Sequence, residues 1–79
     1  MTPEARSILA VFQSQGSRAG DFIHFTDFGD AIVWKDGFIR DEAVRLGLAW
    51  LLDKEYLVEL NEGLELTASG ERIARFDTV

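Results

Sequence analysis

The sequence predicts an α+β domain, and three observations lead to that fold class. Apolar residues recur at helical spacing in two long segments; a capping residue precedes the first segment, and acidic residues suit the first turn of the second. Two β-prone segments, YLVEL and LEL, flank the loop Asn61–Gly63, a pattern typical of a hairpin. The chain has 79 residues, of which 47% are hydrophobic. It is therefore predicted to form one globular domain over residues 1–79, with no internal linker or repeat.

The N-terminal half is predicted to contain a helix, a short strand and a second helix. Thr2 fits the cap of a first helix that runs over Pro3–Gln15, with proline at its first position. The aromatic segment Phe22–Phe25 is predicted to be a brief strand. A second helix is expected from a cap at Thr26 to about Lys35, where a turn signal follows.

The C-terminal half is predicted to contain a third helix, the hairpin and a last helix. The third helix is expected to begin near Ile39–Asp41 and to end near Lys54–Glu55, with acids in its first turn and a lysine in its last. At 100° per residue, its inner face contains Val44, Leu48, Leu51 and Leu52. Thr67 is expected to cap a last helix through about Phe76, whose side chain would face the core together with Ile73.

This order of helix, strand, helix, helix, hairpin and helix resembles the winged helix-turn-helix superfamily. The most telling residues are LAWLLDKEYLVEL (Leu48–Leu60) and LELTASGERIA (Leu64–Ala74). In winged-helix repressors, a recognition helix commonly ends in a leucine–acidic–lysine run, followed by an apolar strand, a tight wing and a leucine–threonine…glycine start of the last helix. The family often has glycine before the first wing strand, where this chain has Tyr56. The resemblance implies that the third helix is placed to enter a DNA major groove.

The charge distribution argues against DNA binding. The net charge is −6, of which −3 lies in Thr26–Glu55 and −3 in Tyr56–Leu66, the parts that would contact DNA. Carboxylates there oppose the release of counterions that provides most non-specific affinity. DNA binding therefore ranks as the alternative function, with Arg40 and Arg45 contacting DNA from the third helix and Lys35 on a phosphate.

The outward face of the third helix favours a protein contact instead. Leu46 and Trp50 are four residues apart and point away from Val44, so they lie together on the helix surface. The leading prediction is a small non-enzymatic regulatory or adaptor domain that binds a protein partner or self-associates. Its apolar anchors would be Trp34, Phe38, Leu46 and Trp50, with Glu42 and Asp53 as a polar rim. Burial of both tryptophans in an ordinary core is an equally weighted alternative, and an acidic DNA mimic or inhibitor of a nucleic-acid-binding protein is a third.

No chemistry-bearing motif is present in the sequence. Cysteine is absent, His24 is the only histidine, and neither glycine pattern of phosphate-binding loops occurs. Asp27 and Asp30 are too few to hold a calcium ion and are expected to be helix-start charges. We therefore predict no catalysis, cofactor, metal site or small-molecule ligand. The segment MTPEARS is unlike a signal peptide, and no apolar run would span a membrane, so a cytoplasmic protein without membrane association is expected.

Overall fold

A computed structural model describes residues 1–76 and shows the predicted α+β class. Over that range the chain forms three α-helices, a three-stranded antiparallel sheet and a separate two-stranded hairpin. The elements in chain order are α1 Pro3–Ser14, β1 Phe22–His24, β2 Trp34–Lys35, β3 Phe38–Ile39, α2 Glu42–Asp53, β4 Leu57–Leu60, β5 Gly63–Leu66 and α3 Ala68–Phe76.

The first and third predicted helices are confirmed as α1 and α2; α1 begins at the expected cap, Thr2, whereas Asp41, which was expected within the first turn, caps α2. The Thr2 hydroxyl accepts a hydrogen bond from the Ala5 N–H at 3.2 Å. The Asp41 carboxylate accepts from the N–H groups of Ala43 and Val44, at 2.9 and 3.4 Å. These side chains satisfy backbone donors that have no partner within the helix. The buried faces of the two helices pack on each other and on the three-stranded sheet.

The predicted second helix is wrong. Its segment instead forms two short 3₁₀ turns, Phe25–Asp27 and Gly29–Ala31, followed by the β2–β3 hairpin. Gly29 has φ +61°, which interrupts right-handed helical geometry between the two turns. The hairpin turns at Asp36 and Gly37, which both have positive φ and so match the right-handed twist of the strands. The predicted order of elements is corrected at this one position, from a helix to two turns and a hairpin.

The predicted C-terminal hairpin is confirmed, and β5 is the central strand of the sheet β1–β5–β4. Leu60 pairs with Gly63, so the loop has two residues, one fewer than predicted. Side chains that alternate along the strands place Ile23, Leu57, Leu64 and Leu66 in the core beneath the sheet. The opposite face of the sheet is open to solvent and carries Phe22, Val58 and Leu60, each about two-fifths exposed.

The end of α2, the start of β4 and the start of α3 meet around Thr67. Its hydroxyl accepts from the Gly70 N–H at 2.9 Å and donates to the Glu55 carbonyl at 2.6 Å. Its N–H donates to the Tyr56 carbonyl at 3.2 Å. A Cβ atom on Gly70 would lie 1.9 Å from that same carbonyl oxygen, so only glycine allows the close approach. Thr67 is thus confirmed as the cap of the last helix.

α2 ends without the glycine that the winged-helix resemblance led us to expect before the first strand of the C-terminal hairpin. Glu55 adopts φ +60°, its N–H donates to the Leu52 carbonyl, and the Tyr56 N–H donates to the Leu51 carbonyl. This pair of bonds is a Schellman motif, in which a left-handed residue terminates the helix. Tyr56 therefore follows the left-handed position and needs no special backbone conformation. The predicted inward orientation of the Phe76 side chain lies outside the described residues.

Candidate protein-contact surface

A groove of about 350 Å³ lies between α2 and the β2–β3 hairpin, and we call it the α2 groove. Its lining is mostly apolar, with one cation and one carboxylate at its margins. The residues that define it here are Trp34, Phe38, Arg45, Ala49, Leu52 and Glu59. Three separate segments of the chain therefore contribute to one concave surface.

The β2–β3 hairpin positions the two aromatic residues of the groove. Trp34 stacks on the buried ring of Phe25, with ring centroids 4.4 Å apart and planes at 13°. That contact holds the indole partly buried, and its remaining surface faces the groove. Phe38 follows the turn and stays 51% exposed, with the Arg40 guanidinium 5.3 Å from its ring centre. Trp34 is thus an anchored wall of the groove, whereas Phe38 is largely open to a partner.

The other wall is the flank of α2 that carries Arg45, Ala49 and Leu52. Their spacing of four and three residues places them along one side of the helix. Arg45 and Ala49 are exposed, and Leu52 is partly buried at the base of the groove. Glu59 reaches the same groove from β4. Because Glu59 lies far from Trp34 in sequence, only the tertiary fold brings the two together.

The four predicted apolar anchors do not form a single patch. Trp34 and Phe38 share the α2 groove, but Trp50 lies on the other flank of α2, about 100° around the helix from Ala49. There Trp50 makes an edge-to-face contact with Tyr56, with centroids 5.8 Å apart, and the Lys54 amine lies 5.6 Å from its ring centre. Both tryptophans are partly buried rather than fully buried or fully exposed.

Leu46 is the most exposed large apolar residue of the described chain, at 64%. It projects between the two flanks of α2, one helical turn after Glu42 and one turn before Trp50. The predicted rim residues Glu42 and Asp53 are exposed at the first and last positions of α2. Glu42 and Asp53 therefore lie on either side of Leu46 along the helix axis, and they do not surround the α2 groove.

The three predicted DNA contacts have different surroundings. Arg40 forms an ion pair with Asp36 at 2.9 Å, in which both side chains are 61% exposed. Lys35 is exposed and pairs across the hairpin with Phe38. Arg45 forms no ion pair within residues 1–76. The exposed basic side chains beside the α2 groove are therefore interleaved with Asp36, Glu42 and Glu59 rather than gathered into one positive patch.

Sequence reasoning placed Ala49 on the outward face of the third helix without naming it as a contact, and it missed Leu52 and Glu59 as parts of the surface. Leu52 was assigned to the inner face, but it lies 80° from Val44 on the helix, at the boundary of that face. This angular position is a signal that could have identified it. Glu59 had no comparable signal, because its place beside α2 depends on how β4 packs.

Other site types find little support in the part of the chain that the structure describes. Within residues 1–76, no three His, Asp or Glu side chains converge as metal ligands would. None of the helices in this range has the length and apolar character needed to cross a membrane. His24 is exposed and makes an edge-to-face contact with Phe22, with ring centroids 4.9 Å apart.

No protein-family model, curated protein or solved structure matches the chain.

Proposed function

We propose that this protein is a non-enzymatic regulatory or adaptor domain of winged-helix type that binds a partner protein at the α2 groove. The observation that carries the proposal is the exposed apolar side chain of Phe38 in the groove, at 51%, with Leu46, at 64%, on the adjoining outward face of α2. Exposed apolar surface next to a concavity is typical of protein contacts, and tryptophan is enriched where binding energy concentrates. The partner would insert apolar side chains between Trp34 and Ala49.

The winged-helix assignment is supported by the strand order and by the elements from α2 onward, whereas two 3₁₀ turns and the β2–β3 hairpin replace the helix expected before α2. A helix, α2, directly precedes the β4–β5 hairpin, and the first strand pairs with the second strand of that hairpin. In the DNA-binding members that this order resembles, the helix before the hairpin enters the major groove. Here the outward side of that helix presents Glu42, Leu46, Ala49 and Asp53. Such a surface suits a protein partner better than a phosphate backbone.

The charged residues at the margin of the α2 groove determine which charges the partner would need beside its apolar side chains. Arg45 and Glu59 lie at its margins, and each would be matched by an opposite charge beside the apolar insertion. Such rim charges are expected to change the rate of association more than the final affinity. The apolar lining of the α2 groove should therefore dominate the affinity, and Arg45 and Glu59 should dominate the dependence of association on salt concentration.

A site-specific photo-cross-linker tests the protein-contact proposal in the cells from which the chain originates. A benzoylphenylalanine at position 38 should yield one discrete adduct, identified by mass spectrometry. The same group at Gln13, exposed on α1, serves as the control and should not yield it. Ala49→Arg, which places a long cation in the groove, should abolish the adduct. An adduct that forms equally from position 13, or that survives Ala49→Arg, would rule out the groove as the contact. An adduct with a second copy of the chain would identify self-association as the mode of contact.

DNA binding remains the second candidate because Arg45 is exposed and has no ion-pair partner among the described residues. Titration of the ¹⁵N-labelled protein with generic duplex DNA at low salt provides the test. Amide shifts centred on Arg45 and Lys35, reversed by added salt and weakened by Arg45→Gln, would favour DNA. If no amide shifts appear under these permissive conditions, protein contact remains as the candidate function and DNA binding does not.

A further inference from the structure

A row of four side chains runs obliquely across the outward surface of α2, toward the flank opposite the α2 groove. Its members are spaced four residues apart, and we call them the α2 ridge: Glu42, Leu46, Trp50 and Lys54. Lys54 caps the C-terminus of α2 and still has right-handed helical backbone angles, so it continues the row. Side chains at this spacing are neighbours on a helix surface and form one of the ridges through which helices pack on each other.

The centre of the α2 ridge is apolar and accessible. Leu46 is 64% exposed, and Trp50 is partly buried. An edge-to-face contact with Tyr56, with ring centroids 5.8 Å apart, holds the Trp50 ring in place. The ridge therefore presents a positioned aromatic ring beside a largely uncovered leucine, which is the kind of apolar surface that association would bury.

The two ends of the α2 ridge carry opposite charges. Glu42 and Lys54 are both exposed, and neither forms an ion pair within residues 1–76. The Lys54 amine lies 5.6 Å from the centre of the Trp50 ring, so its positive charge stays on the ridge. The order along the ridge is therefore an acid, a leucine, a tryptophan and a base.

We infer that the α2 ridge binds the same ridge of a second copy of this chain, antiparallel and about a two-fold axis. An axis level with Leu48 places Leu46 beside Trp50 of the second copy, and Glu42 beside Lys54 of the second copy. Each contact occurs twice, because the axis relates the two helices. Packing of such ridges is the commonest class of helix contact and would cross the two helices at about 50°.

The charges favour this arrangement over the alternatives. Glu42, Ala49 and Asp53 lie within about 40° of one another on the helix surface, so antiparallel helices packed along that line would place Glu42 against Asp53 of the second copy. Parallel helices would place Glu42 against Glu42 of the second copy. Like charges at an interface oppose association. A partner of a single charge sign would be repelled at one end of the ridge, whereas an identical ridge is matched at both ends.

The expected dimer is weak. One pair of crossing helices buries less than the roughly 1,200 Å² of a stable protein–protein interface, so we expect a Kd on the order of 0.1 mM. Sedimentation equilibrium of the full chain measures it over about 0.01–1 mM, a range that brackets this value. In ¹⁵N NMR spectra, the amide shifts that change on dilution should centre on Leu46 and Trp50.

Leu46→Glu tests the apolar centre of the contact. It places a carboxylate beside Trp50 of the second copy and should weaken dimerisation by more than about tenfold. Val33→Glu is the matched control, because Val33 is 61% exposed, lies outside α2 and gains the same charge; its Kd should be unchanged. Phe38→Ser, in the α2 groove, should also dimerise normally, so failure of the groove proposal leaves this inference intact.

Glu42→Lys and Lys54→Glu test how the two helices are aligned. Both positions are exposed, so neither change should unfold the chain. Each variant alone replaces both ion pairs of the dimer by like charges and should weaken dimerisation about tenfold. An equimolar mixture of the two variants restores opposite charges at both ends, so it should form mixed dimers with about the affinity of the wild-type protein.

Four results would overturn the inference. The first is a chain that stays monomeric over the whole concentration range. The second is equal weakening by Leu46→Glu and Val33→Glu, which would reduce the effect to net charge. The third is loss of dimers in Phe38→Ser, which would place the contact in the α2 groove. The fourth is a mixture of Glu42→Lys and Lys54→Glu that dimerises no better than either variant alone, which would refute the antiparallel pairing.

Discussion

Gly70→Ala should destabilise the protein, although helix propensity alone predicts the reverse. Gly70 is the third residue of α3, where alanine would gain about 0.8–1 kcal/mol over glycine in an unconstrained helix. In the folded chain, however, a Cβ at this position would lie 1.9 Å from the Tyr56 carbonyl oxygen and 2.8 Å from a methyl carbon of Leu66. The contact with a backbone atom cannot be relieved by turning a side chain.

The size of the effect follows from the displacement that alanine would impose. A carbon–oxygen contact needs about 3.3 Å, so α3 and the start of β4 must separate by about 1.4 Å along this contact. Overpacking of this kind costs about 1–3 kcal/mol. The same movement strains the hydrogen bond from the Thr67 N–H to the Tyr56 carbonyl, at about 0.5–1.5 kcal/mol. After subtraction of the propensity gain, the expected loss in the free energy of unfolding is about 1–3 kcal/mol.

Urea unfolding followed by tryptophan fluorescence and far-ultraviolet circular dichroism measures this loss. In a domain of this size, 1 kcal/mol corresponds to roughly 4–8 °C in Tm, so thermal melts provide a second reading. Ser69→Ala, at the exposed neighbouring position of α3, is the matched control and should change stability by no more than about 0.5 kcal/mol. If Gly70→Ala proves as stable as the wild-type protein, the proposed contact between α3 and the Tyr56 carbonyl is refuted.

Two further predictions concern the ends of α2. Asp41→Ala removes the side chain that caps two N–H groups and should cost about 1 kcal/mol in urea unfolding. Arg40→Gln, which breaks an exposed ion pair with Asp36 and an exposed contact with the Phe38 ring, should cost less than about 0.5 kcal/mol. Equal losses would contradict the capping role. Glu55→Gly should stabilise the protein by about 0.5–1 kcal/mol because glycine adopts positive φ without strain. The control Ala49→Gly, at an exposed position inside α2, should destabilise by about 1 kcal/mol, and destabilisation by both variants would show that Glu55 is not strained.

The predicted second helix shows where local pattern and tertiary packing diverge. Phe28, Ala31 and Ile32 are spaced as on one helical face; Phe28 and Ile32 are indeed buried in the core, and Ala31 packs against it partly buried. Two 3₁₀ turns separated at Gly29 deliver the same three side chains to the core without a continuous helix. Spacing therefore identified which residues are buried but not the backbone that buries them. Glycine adopts a left-handed conformation far more readily than other residues, so Gly29 within the segment was a sign of a break that the helical spacing outweighed.

The candidate surface was predictable only in part, for a similar reason. Phe38 and Leu46 were identified from the sequence as exposed apolar residues, and the structure exposes both. The grouping of Trp50 with Trp34 followed from their shared outward direction relative to the predicted helices. Trp34 lies in a strand instead, and its stacking on Phe25 directs it to the flank of α2 opposite Trp50. An error in one element thus changed which residues share a surface.

What the sequence by itself determined is the local structure with strong chemical signals. These are the capped helices α1 and α2, the β4–β5 hairpin, the Thr67 cap and the concentration of negative charge in the second half of the chain. Each depends on interactions between residues that are close in sequence. Only the tertiary structure decided that Glu59 reaches the α2 groove and that Gly70 touches the Tyr56 carbonyl. These features join segments distant in sequence, and their geometry follows from how the core packs, which no short-range pattern encodes.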